Sequence, residues 1–242
     1  VIVLIDADTL CYASAAMAEQ DPPNFACHNA ENGLESLLER LNNPEYKLYV
    51  TGEGNFRHKV YPEYKANRLK VPRPQHLQIV KDFLIRKFSA IEAEGCEADD
   101  LLGVEQTANM DAGVESMISS IDKDLDQIPG WHYSPELKRK GIVVKEARKY
   151  FVTPFDGLRF FYYQMLVGDP TDNIKGVVQV GKVGAAEHLE GANTEEELYR
   201  RVAAAYDCNE EMDMNAKCLW IWRKLNDDPT ERFKEFRVDT SA

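Results

Sequence analysis

Residues 1–6 read VIVLID, five consecutive apolar side chains closed by an aspartate. An apolar run this short and unbroken suits a strand buried on both faces, as in a parallel sheet, and its carboxyl end delivers Asp6 beyond the sheet edge. Three more stretches have the same look: KLYVT at 47–51, SMISSI at 116–121 and GIVVK at 141–145. Helical patterns fill the intervals around Ala30 to Leu41, Pro74 to Phe88 and Ala98 to Ala108. Strands alternating with helices predict an α/β fold with a mostly parallel central sheet flanked by helices. Ligands of such sheets bind beyond the carboxyl ends of the strands, where Asp6 and Asp122 both fall. From Thr153 the pattern turns helical, with helices expected at Pro154 to Val167, Lys182 to Leu189, Thr194 to Tyr206 and Glu211 to Leu225. The expected organisation is an α/β core over residues 1–152 and a helical subdomain over 153–242.

The 242 residues are 44% hydrophobic and 29% charged, enough for a real buried core. No apolar run reaches the roughly 18 residues of a membrane span, and VIVLI is too short and lacks the basic flank of a signal peptide. A cytosolic, monomeric protein without membrane contact is expected. Its five cysteines, Cys11, Cys27, Cys96, Cys208 and Cys218, are scattered and never spaced as CxxC, so reduced thiols are expected rather than a disulfide framework or a zinc site.

The formal net charge of −12 argues against a nucleic-acid partner until its distribution is considered. Between Arg57 and Lys87 stand nine basic residues, among them Lys59, Lys65, Arg68, Lys70 and Arg73, against two acidic ones, Glu63 and Asp82. One basic segment on an acidic body fits DNA touching one rim while cations occupy a separate acidic pocket. Taken alone, the run reads more readily as a solvated helix face.

Four acidic groups follow apolar segments: Asp6 and Asp8 in LIDADTL, Glu97, Asp99 and Asp100 in EGCEADDLLG, Asp122 and Asp124 in ISSIDKDLDQI, Asp169 and Asp172 in LVGDPTDNI. Chain direction would gather them at one edge. Two unit charges about 4 Å apart repel by about 4 kcal/mol at an effective dielectric near 20, so such a cluster calls for cations. Oxygen ligands without His or Cys select Mg²⁺ or Mn²⁺ over zinc, and a pair of such ions is a standard device for phosphodiester hydrolysis.

In order and separation, LIDADTL, FRHKVYPEYKANR, EGCEADDLLG, ISSIDKDLDQI and GDPTDNIKGVVQVGKVGA resemble the flap endonuclease and 5′-exonuclease family, in particular phage 5′-exonucleases and the 5′-nuclease domains of bacterial DNA polymerases. The resemblance runs from the first residues to about Ala186 and implies a PIN-like core. It implies a structure-specific 5′-nuclease that cuts DNA at flaps, nicks or free 5′ ends with two ions. It makes Asp6, Glu97, Asp99 and Asp100 ligands of the first metal, and Asp122, Asp124, Asp169 and Asp172 ligands of the second or its surroundings. Lys65 and Arg68 match residues that contact the scissile phosphate, which makes them catalytic candidates with Asp6 and Asp122. The basic stretch 55–88, with Arg57, Lys59, Lys70 and Arg73, matches the helical arch over a single-stranded 5′ end. Residues 168–190 match the helix-three-turn-helix element, where Gly176, Gly181, Lys182 and Gly184 would hold duplex phosphates and K⁺ would sit on loop carbonyls. One departure stands out: where the family carries an Asp after the second strand, YVTGEGNFR has Thr51, Gly52 and Glu53. Either Glu53 substitutes or the first metal keeps an extra water.

Two other readings compete. A phosphatase of the haloacid dehalogenase type would use Asp6 and Asp8 as nucleophile and acid, but it leaves EADD, YKANR and the glycine hairpin unexplained. A non-catalytic DNA-binding relative would keep the hairpin without metals.

Overall fold

The computed structural model describes residues 1–139 and 142–237. In chain order the first elements are β1 (Ile2–Asp6), α1 (Asp8–Met17), α2 (Pro23–Arg40), β2 (Glu45–Thr51), α3 (Arg57–Val60) and a 3-10 turn at Ala66–Lys70. Then come α4 (Leu77–Phe88), β3 (Ile91–Ala93), α5 (Ala98–Asp111), β4 (Ser116–Ser119), a 3-10 turn at Lys123–Gln127, β5 (Gly130–Ser134), β6 (Leu137–Arg139), β7 (Ile142–Lys145) and β8 (Arg148–Val152). The remainder is α6 (Pro154–Val167), the short strands β9 (Gly168–Asp169) and β10 (Ile174–Lys175), α7 (Lys182–Leu189), α8 (Glu195–Ala203), α9 (Asn209–Leu219) and α10 (Thr230–Arg237).

Six strands form the central sheet in the order β3-β2-β1-β4-β5-β8, all parallel except the β5–β8 pair. Because side chains alternate along a strand, β1 feeds both faces. Val3 and Ile5 join Leu48, Val50, Ala30, Leu34, Val80 and Leu84 on the side of α2 and α4, while Leu4 joins Tyr49, Ile118, Leu102 and Ile221 on the side of α5. This explains the unbroken apolar run, since neither face of β1 meets water.

The expected strand at 141–145 is not part of that sheet. Among the described residues Ile142–Lys145 pairs only with β6, in a separate two-stranded ribbon, and Gly141 lies outside the described residues. Its apolar residues Ile142 and Val144 are exposed, so here β-propensity made a ribbon without making core. The parallel strand after β4 is instead Gly130–Ser134, whose alternating polar residues hid it. The second half of the expected arch is also different, because α4 buries Val80 and Leu84 against the sheet as an ordinary packed helix.

The C-terminal helices share a third apolar cluster, built on Phe161, Tyr162, Met165, Leu198, Met212, Trp220 and Phe233, with Tyr64, Ala93 and Cys96 of the first part inside it. The two stretches separated at 152/153 are therefore packed on one common core. α9 ends at Leu219, short of the expected Leu225, and an extended segment follows it. A Cβ on Gly103 would lie 2.3 Å from the Trp222 carbonyl, so the glycine in α5 is what allows residues 220–222 to lie against that helix. Among the described residues no helix is long and apolar enough to cross a membrane.

Candidate metal centre and nucleic-acid interface

The parallel strands end on one side of the sheet, and the carboxylates meet there. Asp6, at the end of β1, accepts from its neighbour Asp8 N (3.1 Å) and from Ser120 Oγ (2.7 Å) just past β4. The same Ser120 oxygen accepts from Asp122 N (2.9 Å), so one hydroxyl links the two strand ends. Asp122 then starts the 3-10 turn by accepting from Asp124 N (2.9 Å), and Gln164 of α6 donates to Asp124 Oδ1 (2.8 Å).

From α5 come Glu97 and Asp99. The helix begins in a capping box in which Asp100 Oδ2 accepts from Glu97 N (3.0 Å), so the spacing of the EADD motif meets the helix's own demand for acceptors at its start. The result is that Glu97, Asp99, Asp124, Asp169 and Asp172 line one cleft together with Tyr64 and Gln164.

YKANR and GDPTDN, remote in sequence, are zipped together. Lys65 N donates to Asp172 O (2.9 Å), Asn67 Nδ2 to Pro170 O (2.8 Å), Arg68 Nε to Thr171 O (3.1 Å) and Asn173 Nδ2 to Glu63 O (2.8 Å). Lys65 has the left-handed φ of 56°, a conformation that a lysine keeps only when its surroundings impose it. Its ammonium contacts Glu97 and lies 3.5 Å from Asp172, while Arg68 contacts the other Asp172 oxygen. The Tyr64 hydroxyl stands 2.7 Å from Asp172 and 3.0 Å from Glu97, so this side chain reaches two of the carboxylates through its polar end.

The electrostatics record crowding of like charge. Burial, then Asp8 and Asp122, push Asp6 up to about 7 against the opposing Ser120 hydrogen bond. Burial and Asp122 raise Asp124 to about 7, with Lys123 opposing. Asp99 is driven well above the carboxylate range by burial and by Asp6, Asp122 and Glu97. Glu97 goes the other way: burial opposes its charge, but Lys65 and Arg57 outweigh it.

Several expectations are corrected. Arg57, expected on the DNA-facing rim, is 2% exposed. It makes paired bonds to Asp100 (2.6 and 2.8 Å) and donates to the carbonyls of Cys218 (2.8 Å) and Trp220 (2.7 Å). Asp100, expected as a metal ligand, is fully buried, and its oxygens also accept from Glu97 N and Trp222 N, which leaves it a structural role. Gly176, half-buried, is required by packing, since a Cβ there would lie 2.3 Å from the Val167 carbonyl carbon.

Gly181 and Lys182, by contrast, are exposed at the start of α7 with Gly184 close behind, and Lys59, Arg68, Lys70 and Arg73 are exposed as well. Glu53 is exposed, and the carboxylate that reaches the end of β2 is that of Asp8, which accepts from Thr51 N (3.1 Å) and pairs with Lys81 (3.0 Å).

Among the described residues, no three acidic, His or Cys side chains already converge as a finished ion cage. Lysines and arginines hold the carboxylates in pairs: Lys65 on Glu97, Arg68 on Asp172, Lys123 on Asp124 and Lys81 on Asp8. The donor set still fits a hard divalent ion, because it is all carboxylate oxygen, half-buried and short of positive charge.

With the geometry established, comparison with known proteins gives the class. The profile of the family described as 5′-3′ exonuclease, N-terminal resolvase-like domain, matches residues 1–141. A 5′-3′ exonuclease of Mycoplasma pneumoniae is 30% identical over 217 residues, covering 81% of this chain and 74% of that protein. The chain belongs to this 5′-3′ exonuclease family. It also matches DNA polymerase I of Bacillus subtilis at 29% identity over 83% of the chain, but spans only 24% of that polymerase, as with the other polymerases it resembles. The fold is that of the bacteriophage T5 5′-exonuclease solved with bound zinc (TM-score 0.66, 16% identity, 90% of this chain and 88% of that one). The catalytic core of Rad2 in complex with DNA substrate is similar too (TM-score 0.57, 12% identity, 97% and 86%).

Proposed function

We propose that this chain hydrolyses DNA phosphodiesters from or near a free 5′ end, at flaps, nicks or duplex termini, with Mg²⁺ or Mn²⁺ held by its carboxylate cleft. The observation that carries this reading is the meeting of Glu97, Asp99, Asp124, Asp169 and Asp172 in one cleft, with Asp6 and Asp122 near enough to repel the charge of Asp99, and with Lys65 bonded to Glu97 and Arg68 to Asp172. It is supported by structural relatives described as metal-bound and DNA-bound nucleases. Asp6, Glu97 and Asp99 would hold one ion and Asp122, Asp124, Asp169 and Asp172 a second, with Asp100 withdrawn from the set. Bound ions supply an activated water and neutralise charge on the phosphate and the leaving oxygen.

The chain's own residues do the rest. Lys65 and Arg68 offer a point charge and a planar fork to the phosphate oxygens as negative charge builds on them. Tyr64 and the zipped loops hold both cations against the cleft. Ser120 fixes the carboxylate of Asp6 relative to the Asp122 loop, and Gln164 fixes that of Asp124. The exposed start of α7, with Gly181, Lys182 and Gly184, presents free N–H groups suited to duplex phosphates without reading sequence. A phosphatase reading lacks its free acid, because Asp8 is committed to Thr51 N and Lys81.

The test is to incubate one 5′-labelled flap duplex and one blunt duplex with the protein and Mg²⁺, and to size the products. Short 5′-phosphorylated fragments released only with Mg²⁺ are expected; intact label on both substrates, with either Mg²⁺ or Mn²⁺, would refute the reading.

A further inference from the structure

Among the described residues, β8 is the last strand of the central sheet and pairs on one side only, with β5. Its residues alternate. Tyr150 turns inward, its hydroxyl 2.6 Å from Asp126, and Val152 is buried, while Lys149 and Phe151 face out. The register sets Trp131 opposite Phe151 and Tyr133 opposite Lys149, so these four share one face, on which Trp131, Phe151 and Lys149 are exposed while Tyr133 packs against the apolar cluster of α2 and α4. Trp131 and Phe151 are 45% and 49% exposed, their rings meet edge to face at 5.3 Å, and Lys149 Nζ lies 4.8 Å above the Trp131 ring. Two large aromatic rings left side by side in water are unusual on a surface that has no use for them.

The charge of this region points to the ligand. On β8 itself two exposed cations stand beside the rings, Lys149 over Trp131 and Arg148 over Tyr150, on a protein of net charge −12. Such cations attract a polyanion, and flat aromatic faces stack on bases; only unpaired bases have faces to offer, because those of a duplex are already stacked. A hydrophobic protein partner would explain the rings but not the cations.

We propose that the Trp131–Phe151 face binds single-stranded nucleic acid, with unpaired bases stacked on the two rings and Lys149 against the phosphates. This surface is separate from the carboxylate cleft, whose lining contains none of its residues. The two are mechanically joined, because Tyr150 behind Phe151 bonds to Asp126, two residues after Asp124 in the same 3-10 turn. A strand stacked here is thereby held at a fixed position relative to the cleft. The nuclease reading and this one fail separately, since binding here requires no divalent ion.

The experiment titrates the whole chain with an oligothymidylate of about 12 nucleotides in EDTA and follows tryptophan emission, the stacked base being the quencher. Trp220 and Trp222 are 1% and 9% exposed, so quenching reports Trp131. Saturable quenching is expected, with affinity falling about tenfold in Phe151→Ala and a shallower salt dependence in Lys149→Glu, both with unchanged unfolding midpoints. A blunt duplex of equal length should leave the emission unchanged. Absence of quenching, wild-type affinity in both variants, or equal quenching by the duplex would each overturn the proposal.

Discussion

Arg57 and Asp100 face each other through two parallel hydrogen bonds of 2.6 and 2.8 Å, with the guanidinium side chain 3% and the carboxylate side chain 0% exposed. Arg57 also holds the carbonyls of Cys218 and Trp220, so a residue at the start of the basic segment clamps the C-terminal part of the chain to α5. Removing one member of such a pair leaves a buried charge without its partner, at a cost of about 3–5 kcal/mol. Arg57→Met should lower the unfolding free energy by that amount in urea titrations. A loss below about 1 kcal/mol would mean that Arg57 is a surface residue in solution, where ion pairs contribute little.

Lys65→Ala and Asp122→Asn address the chemistry without touching the core. Each should slow single-turnover cleavage of a flap duplex by about 100- to 1000-fold, the range for removal of one transition-state contact. The unfolding midpoint should hold in Asp122→Asn, since Asp122 is exposed, and should fall modestly in Lys65→Ala, which leaves the part-buried Glu97 without its nearest cation. Near-normal rates in both would remove these residues from the mechanism.

Ser120→Ala removes the hydroxyl that positions Asp6 and receives Asp122 N. Deleting a group that orients a ligand typically weakens metal binding about 10- to 100-fold. Mn²⁺ titration should show this loss while the fold persists; an unchanged affinity would show that Asp6 is positioned without Ser120.

His132 gives a pH signature away from the cleft. Burial holds its pKa below the ordinary 6.5, although its bond to the Ile128 carbonyl and nearby Asp126 act the other way. A histidine with a depressed folded pKa contributes no penalty above the unfolded value. As pH falls below about 6.5, the unfolded chain takes up the proton first and stability drops. His132→Gln should flatten that part of the stability profile between pH 7 and pH 5. An identical acid slope in the variant would contradict the assignment.

How much of this was legible in the sequence follows from the kind of signal. β1 and the helical C-terminal part were readable because continuous burial and helical periodicity leave a plain pattern. β5 was not, because it buries polar His132 and Ser134 while leaving Trp131 exposed, and β7 misled because exposed Ile142 and Val144 look like core residues. The acidic cluster was readable as motifs, but Asp100 stood in its motif for a different reason, the pairing of helix start with Arg57. Ser120 and Gln164 could not be found from the sequence, because they act through contacts made only after distant parts of the chain are packed together. Asp8 stood in plain view beside Asp6; its approach to the end of β2 depends on the parallel pairing of β1 with β2, which the strand pattern implied without fixing the register.

The most direct measurement is calorimetric titration of Mn²⁺ into the chain and into Asp99→Asn, the carboxylate surrounded by Asp6, Asp122 and Glu97. Saturable binding by the wild type, with the tighter binding lost in Asp99→Asn and a rise in melting temperature on adding Mn²⁺ that the variant lacks, is the predicted result. No heat at millimolar Mn²⁺, or the same isotherm in both proteins, would contradict a carboxylate cleft built to hold divalent ions.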